Sequence, residues 1–308
     1  MRIRWFLGAL ILIALWGFMG CSGSDTTDSS DKLAIVATTG MIGDAVRVIA
    51  GDDVMLDVLM GPGVDPHLYK TSKGDLDLLD GADVIFYNGL NLEAKMGDIL
   101  GKMSRSKTTV PAAEAIPDSL LTFPSGYEGH PDPHVWFDLS LWRHAVEAVG
   151  LALENSDTAN AAHYRAATGA YLDTLAALHT WVDSMISTIP EPQRVLVTAH
   201  DAFGYFGRAY GIEVEGLQGI STVTEAGLYD VTEMVTVLVD REIKAVFVES
   251  SVSRKAINSV VEGCRSRGHE VVIGGELYSD AMGERGTVEG TFVGMVRHNV
   301  NTIVEALR

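Results

Sequence analysis

LAIVATTGMIGDAVRVIAGDDVMLDVLMGPGVDPH, residues 33–67, decides how the chain is read. Leu33 to Thr38 is an apolar, β-branched run of buried-strand character. Met41 to Ala50 places Ile42, Ala45, Val46 and Ile49 at helical spacing and stops at Gly51. Val54 to Met60 is a second strand, and it runs directly into Gly61-Pro62-Gly63 and the tripeptide Asp65-Pro66-His67. Strand, helix and strand at this spacing argue for a parallel sheet. His67 falls just past a strand's C-terminal end, where open α/β sheets bind ligands.

The same grammar continues outward. Thr71 or Ser72 caps a helix through Leu79 that Gly81 ends. Asp83 to Tyr87 is a third strand, followed by Asn88-Gly89 and a helix near Glu93 to Met103. Residues 117–133 read as a loop rich in Pro and Gly that carries His130 and delivers a second tripeptide, Asp132-Pro133-His134. Proline fixes its own φ and pushes the residue before it out of the helical region. Each Asp-Pro-His is therefore a stiff bend that aims an imidazole with little freedom. Val135 to Phe137 reads as a short strand, Asp138 as a turn, and Leu141 to Leu153 as an amphipathic helix. His130 reads as a solvated loop residue, and His144 and His163 as surface residues on helices.

Ser156 or Asp157 can cap a helix that meets no proline until Pro190, ~50 Å long at 1.5 Å per residue. Tyr164, Thr168, Tyr171, Leu175, Leu178, Val182, Met185 and Ile189 form a heptad-like stripe along it, as expected of a spine packed on a core. Beyond it, Arg194 to Thr198 is a strand with His200 on the loop at its end. Phe203 to Tyr210 is a helix ending at Gly211, and Glu213 to Leu217 is a strand. Thr222 or Thr224 caps a helix from Glu225 to Val239. Ala245 to Val248 is a strand with Glu249 at its end, and Ala256 to Arg265 a helix. His269 opens the strand Val271 to Ile273, which leads to the loop holding Asp280. A helix from about Glu289 to Leu307 closes the chain. The fold class is α/β: two lobes, each a mostly parallel sheet flanked by helices, joined by one long rigid helix. The divisions expected are 33–155 for the first lobe, 156–190 for the connecting helix and 191–308 for the second lobe.

The composition is globular, 47% hydrophobic over 308 residues, and long enough for one large domain or two medium ones. Lys plus Arg number 23 against 41 Asp plus Glu, a net charge of −18, which repels nucleic acid and attracts small cations. Residues 1–20 have the form of a signal peptide: Arg2 and Arg4, then an apolar stretch from Trp5 to Met19, then Gly20 before Cys21. A small residue directly before a cysteine resembles a bacterial lipoprotein signal, which makes Cys21 a lipidation site, although Phe18 stands where Leu is usual. Residues 21–32 then form a lipidated N-terminus and polar tether. The chain has only two cysteines. With Cys21 lipidated, Cys264 has no partner within the chain.

His67, His134, His200 and Asp280 all follow strands, two from each lobe. Three imidazoles and a carboxylate suit Zn²⁺, and Mn²⁺ or Fe²⁺ also accept them. Glu249 ends a strand on the same rim, where it can accept an imidazole N–H or simply start a helix.

The runs DPHLY (65–69), NGLNLE (88–93), DPHVWFD (132–138), TAHDAFGYFGRAYG (198–211), GLQGIST (216–222), VFVESSVS (246–253) and GELYSDAMG (275–283) resemble the zinc/manganese solute-binding lipoproteins of ABC importers. They stand in that family's order from about Leu33 to the end. The resemblance implies a metal held between the lobes, with the family's four ligands falling on His67, His134, His200 and Asp280. It implies one Zn²⁺ or Mn²⁺ per chain, carried as cargo to permease and ATPase subunits of an ABC importer. The protein is expected to be a monomer, exported to the periplasm or cell surface, and lipid-anchored. His200, where manganese-specific members often carry Glu, leans towards zinc. The wording DPHVWFDLSLW and GELYSDAMG leans towards the manganese or mixed-metal branch. Other readings are an adhesin of the same fold, a siderophore binder and a zinc hydrolase. A hydrolase would need an open metal position and a base, and the chain has no H-E-x-x-H. The expectation is therefore a protein that is not an enzyme.

Overall fold

β1 (Leu33–Ala37) is the centre from which the first half is built. It pairs in parallel with β2 (Val54–Val58) on one side and β3 (Val84–Tyr87) on the other. β3 pairs in parallel with β4 (Thr108–Pro111), giving the order β2-β1-β3-β4. The computed structural model describes residues 32–125, 127 and 129–308. The expected signal segment 1–20, Cys21 and the tether up to residue 31 lie outside the described residues. Among the described residues no helix is long and apolar enough to cross a membrane.

The period-two pattern of the strands divides the sheet's faces. Ile35, Ala37, Val84 and Phe86 face α1 (Gly40–Ala50) in the main core. Val36 and Ile85 face the other way, into a smaller core with Leu79 and Leu100. Those two residues belong to α2 (Lys73–Gly81) and α3 (Gly97–Met103). Ser72 caps α2: its hydroxyl accepts from Asp75 N–H while the Asp75 carboxylate accepts from Ser72 N–H, a reciprocal capping box.

The second half repeats the scheme. β5 (Val195–His200) pairs in parallel with β6 (Glu213–Gln218), and β7 (Ala245–Glu249) with β8 (Val272–Leu277). β5 lies beside β7, so His200 and Glu249 end neighbouring strands. α6 (Gly204–Tyr210) follows β5 and is closed by Gly211 at φ 66°, where an L side chain would be strained. α7 (Leu228–Asp240) and α8 (Lys255–Ser266) cover one face with Met234, Val235, Leu238, Ile257, Val260 and Cys264. The opposite residues, Leu196, Ala245 and Phe247, enter the same main core as the first half.

That shared core is closed by three helices. α4 (Leu139–Ser156) and α5 (Ala161–Ile186) pack on each other, and α9 (Phe292–Leu307) lies against α5. Phe292 of α9 stacks on Trp142 of α4 at 5.4 Å, and its N–H donates to the buried Asp44 carboxylate of α1 at 3.0 Å. The connecting helix is shorter than the sequence implies, 161–186 instead of 156 or 157 to the proline, or ~39 Å. Asp157 breaks it. Its carboxylate accepts from Asn160 Nδ2 at 2.7 Å and Tyr164 OH at 2.7 Å, a local bonding pattern that competes with helix. The buried stripe runs Tyr164, Thr168, Tyr171, Leu175, Leu178, Val182 and then Ile186, not Met185. A straight helix drifts off a strict seven-residue repeat, and here the drift amounts to one residue by the last turn.

α4 and α5 approach closely at Gly150. A Cβ there would lie 2.2 Å from Thr168 Oγ1, which is fixed by its bond to Tyr164 O at 2.7 Å. Gly150→Ala should therefore destabilise the fold by ~1–3 kcal/mol. Gly169 is exposed, with nothing within 4 Å of its added Cβ, and Gly169→Ala should stabilise by ~0.5–1 kcal/mol. Thermal midpoints moving in opposite directions would bear this out, and two equal shifts would not.

Candidate metal centre

All four residues singled out from the sequence converge. One donor atom from each of His67, His134, His200 and Asp280 lies within 4.8 Å of the other three, and all four residues are buried. Their exposures are 2%, 0%, 0% and 2%. His67 Nε2 is 3.3 Å from His134 Nε2 and 3.7 Å from Asp280 Oδ2. Asp280 Oδ1 is 3.3 Å from His134 Nε2, and Oδ2 is 3.3 Å from His200 Nε2. Donors ~2.0–2.1 Å from a tetrahedral ion stand about 3.3–3.4 Å apart. The group therefore has the dimensions of a shell around a single ion. Both Asp280 oxygens and His200 Nε2 are buried with no hydrogen-bond partner, a costly arrangement for polar atoms that an ion would satisfy.

Each donor is delivered by a different local device. His67 lies in the irregular segment after β2, with its N–H on Asp65 Oδ1 at 2.9 Å. His134 begins a 3-10 turn over Val135–Phe137, where the sequence implied a strand. Val135, Trp136 and Phe137 are buried, but Pro133 precedes the turn and Asp138 caps α4 immediately after, leaving no room for a strand to pair. The turn is pinned from both halves. Asn88 Nδ2 donates to Pro133 O at 3.1 Å, Tyr205 OH to Asp132 O at 3.0 Å, and Trp136 Nε1 to Ser279 O at 3.1 Å. His200 is the last residue of β5 itself, paired with Gln218, rather than a loop residue. Asp280 follows β8 with Ser279 and Ala281 buried beside it.

Behind the donors stand carboxylates. Glu249 Oε1 accepts His200 N–H at 2.8 Å and Oε2 meets His200 Nδ1 at 2.5 Å, the acceptor role proposed for it from its strand-end position. Asp132 does the same for His134, bonding N–H at 2.9 Å and Nδ1 at 2.7 Å. Asp132 in this role is not among the residues expected from the sequence, though its signal lies in the tripeptide itself, two residues before the imidazole. An acceptor on Nδ1 puts the proton there and turns the Nε2 lone pair to the centre. His130, by contrast, is exposed on the loop near Tyr127, outside the four-residue group.

The cluster's electrostatics divide the imidazoles. Burial lowers His67 to about 3, outweighing the pull of Asp280. Burial also opposes charge on His134, but Asp280 and Asp132 win and raise it to about 9. Burial opposes charge on His200 too, yet Glu249 and Asp280 hold it well above its ordinary value. Asp280 is held well below the usual carboxylate range, against its burial, by His200 and His134.

Two α/β halves with three imidazoles and a carboxylate buried at their strand ends define a binding fold with donors for one metal ion. The chain belongs to the family described as "ZnuA: Zinc-uptake complex component A periplasmic", whose model matches residues 35–306. It is 50% identical over 307 residues to the "Manganese-binding lipoprotein MntA" of Bacillus subtilis, covering 99% of this chain and 100% of that protein. It is 47% identical over 298 residues to the "Zinc-binding protein TroA" of Treponema pallidum, covering 97% of this chain and 96% of the other. The solved structure of the periplasmic zinc binding protein TroA from Treponema pallidum superposes with a TM-score of 0.88 at 48% identity, covering 90% of this chain and 99% of that one.

Proposed function

We propose that this chain captures one Zn²⁺ or Mn²⁺ ion outside the cytoplasm, held by His67, His134, His200 and Asp280, and passes it to the permease of an ABC importer powered by its ATPase. The observation that carries this reading is the donor group: four buried atoms spaced as the edges of one coordination shell. The relatives named for manganese and for zinc support both ions as cargo. The same donor set should hold Zn²⁺ more tightly in vitro, because intrinsic affinity rises from Mn²⁺ to Zn²⁺. The chain acts by binding and not by catalysis: four protein donors leave a tetrahedral ion no open position for a reacting water. A lipid on Cys21 would tether a monomer at the membrane surface, as expected of a protein related to named lipoproteins. Titration calorimetry on metal-free protein should give one Zn²⁺ per chain. Several weak sites, or no saturable heat, would reject the reading.

Capture must also displace protons. The carboxylates around His134 and His200 favour a proton on each imidazole in the metal-free chain, whereas a metal ligand must be a neutral imidazole. Each should release a proton as the ion binds, so affinity should fall as pH is lowered. The check is the binding heat in buffers of different ionisation enthalpy. A slope in the direction of proton release is expected at pH 7, and a buffer-independent heat would contradict the assignment.

A further inference from the structure

The three imidazoles are not equally anchored. His134 and His200 each have a buried carboxylate on Nδ1, from Asp132 and Glu249. Among the described residues no hydrogen bond reaches His67 Nδ1; its ring makes its polar contacts through Nε2, towards the other donors. The segment carrying His67 runs from Gly61 to Ser72 without regular secondary structure. Tyr69 OH ties its far end to Asp75 Oδ2 at 2.8 Å, and the stretch before His67 is held by Asp65, whose carboxylate faces two ways. Oδ1 accepts His67 N–H at 2.9 Å, and Oδ2 accepts the Thr222 hydroxyl at 2.5 Å across 157 residues of sequence.

Thr222 lies between β6 and α7, where the sequence implied a helix cap. α7 starts later, at Leu228, with Gly227 N–H on Asp230 Oδ2 at 2.7 Å, which leaves the Thr222 hydroxyl for the first half. Thr222 is 5% exposed, but its surroundings are open. A groove of about 460 Å³ beside the bond is lined by Asp65, Leu68, Gln218 and Thr222 among others. Leu68 and Val223 stand exposed at 41% and 58%. The bond is part-buried beside an open groove and joins a segment of the first half to one of the second.

We infer that the Asp65–Thr222 hydrogen bond is a latch that sets how fast a bound ion leaves. It ties the His67 segment of the first half to the β6–α7 segment of the second. When it breaks, His67 is the imidazole free to turn away, since no acceptor holds its other nitrogen. His134, His200 and Asp280 keep their places, and the ion gains an open position where His67 stood. Thr222 is a positioning residue, acting through Asp65 on His67. The inference rests on the proposed metal capture, and its test separates the two.

Full-length protein loaded with Zn²⁺ is mixed with excess chelator, and the release rate is compared for wild type, Thr222→Val and Thr222→Ser. Valine keeps the β-branch and loses the donor; serine keeps the donor. Loss of a hydrogen bond to a charged acceptor should speed release by roughly tenfold in Thr222→Val, with the change in the off-rate. Thr222→Ser should release at close to the wild-type rate, and its metal-free thermal midpoint should match that of the wild type. Release from Thr222→Val at the wild-type rate, or from Thr222→Ser as fast as from Thr222→Val, would overturn the latch. A wild-type chain that takes up no Zn²⁺ would overturn the parent reading and the latch with it.

Discussion

Asp280→Ala should lower Zn²⁺ affinity by roughly a thousandfold. Asp280 is the only anionic member of the donor group and approaches all three imidazoles, at 3.3 to 3.7 Å. Its carboxylate is 0% exposed, so water does not replace it at no expense. Removing one partner of a buried charged set costs ~3–5 kcal/mol, and each ~1.4 kcal/mol is tenfold in affinity. The substitution also removes the negative charge that raises the proton affinity of His134 and His200 in the metal-free chain. Proton release on binding should therefore diminish along with affinity. Competition titration against a chelator of known strength measures the loss, with circular dichroism to show that the metal-free fold persists. A loss below tenfold in a folded variant would remove Asp280 from the shell.

Glu249→Gln should lower affinity by about 10- to 100-fold, the usual range for a group that orients a ligand. Glu249 accepts two N–H groups from one residue, the backbone and the Nδ1 of His200. A glutamine has one carbonyl oxygen and must turn its NH₂ towards one of those donors. If the NH₂ faces Nδ1, the imidazole shifts its proton to Nε2, the atom that points at the ion. If it faces the backbone, His200 N–H is left buried without an acceptor. Either outcome weakens the site without touching the ion. Calorimetry on the variant gives the affinity, and an unchanged value would show that Glu249 only caps the end of β7.

The donor group was legible because each member carries its own local signal. His67 and His134 follow prolines in repeated tripeptides, and His200 and Asp280 stand at or after the ends of apolar, β-branched runs. The strand-helix alternation of residues 33–87 was equally plain, since β1, α1, β2 and β3 have clean periodicity and Gly51 and Gly81 as stops. β4 leaves no mark in the sequence: Thr108–Pro111 is four residues of partial burial at a sheet edge, with no hydrophobic alternation. Val135–Phe137 looked like a strand because all three residues are apolar, but burial alone does not distinguish a turn inside a core from a strand. The length of α5 was overread because Asp157 works as a breaker through its bonds to Asn160 and Tyr164, and side-chain bonding of that kind leaves no periodic trace. The pairing of Asp65 with Thr222 was invisible for a different reason. The same Asp-Pro-His is used two ways: Asp132 turns its carboxylate inward to its own imidazole ring, and Asp65 turns its second oxygen to the other half of the chain. Only the tertiary fold decides between them.

Metal capture here requires one ion held jointly by the two halves, and anomalous diffraction from crystals of Zn²⁺-loaded protein, collected on either side of the zinc edge, tests it most directly. A single peak should lie about 2.0–2.2 Å from Nε2 of His67, His134 and His200 and from an Asp280 oxygen. A peak bonded elsewhere, at His130 or on the acidic surface, with those four groups free of metal, would contradict it.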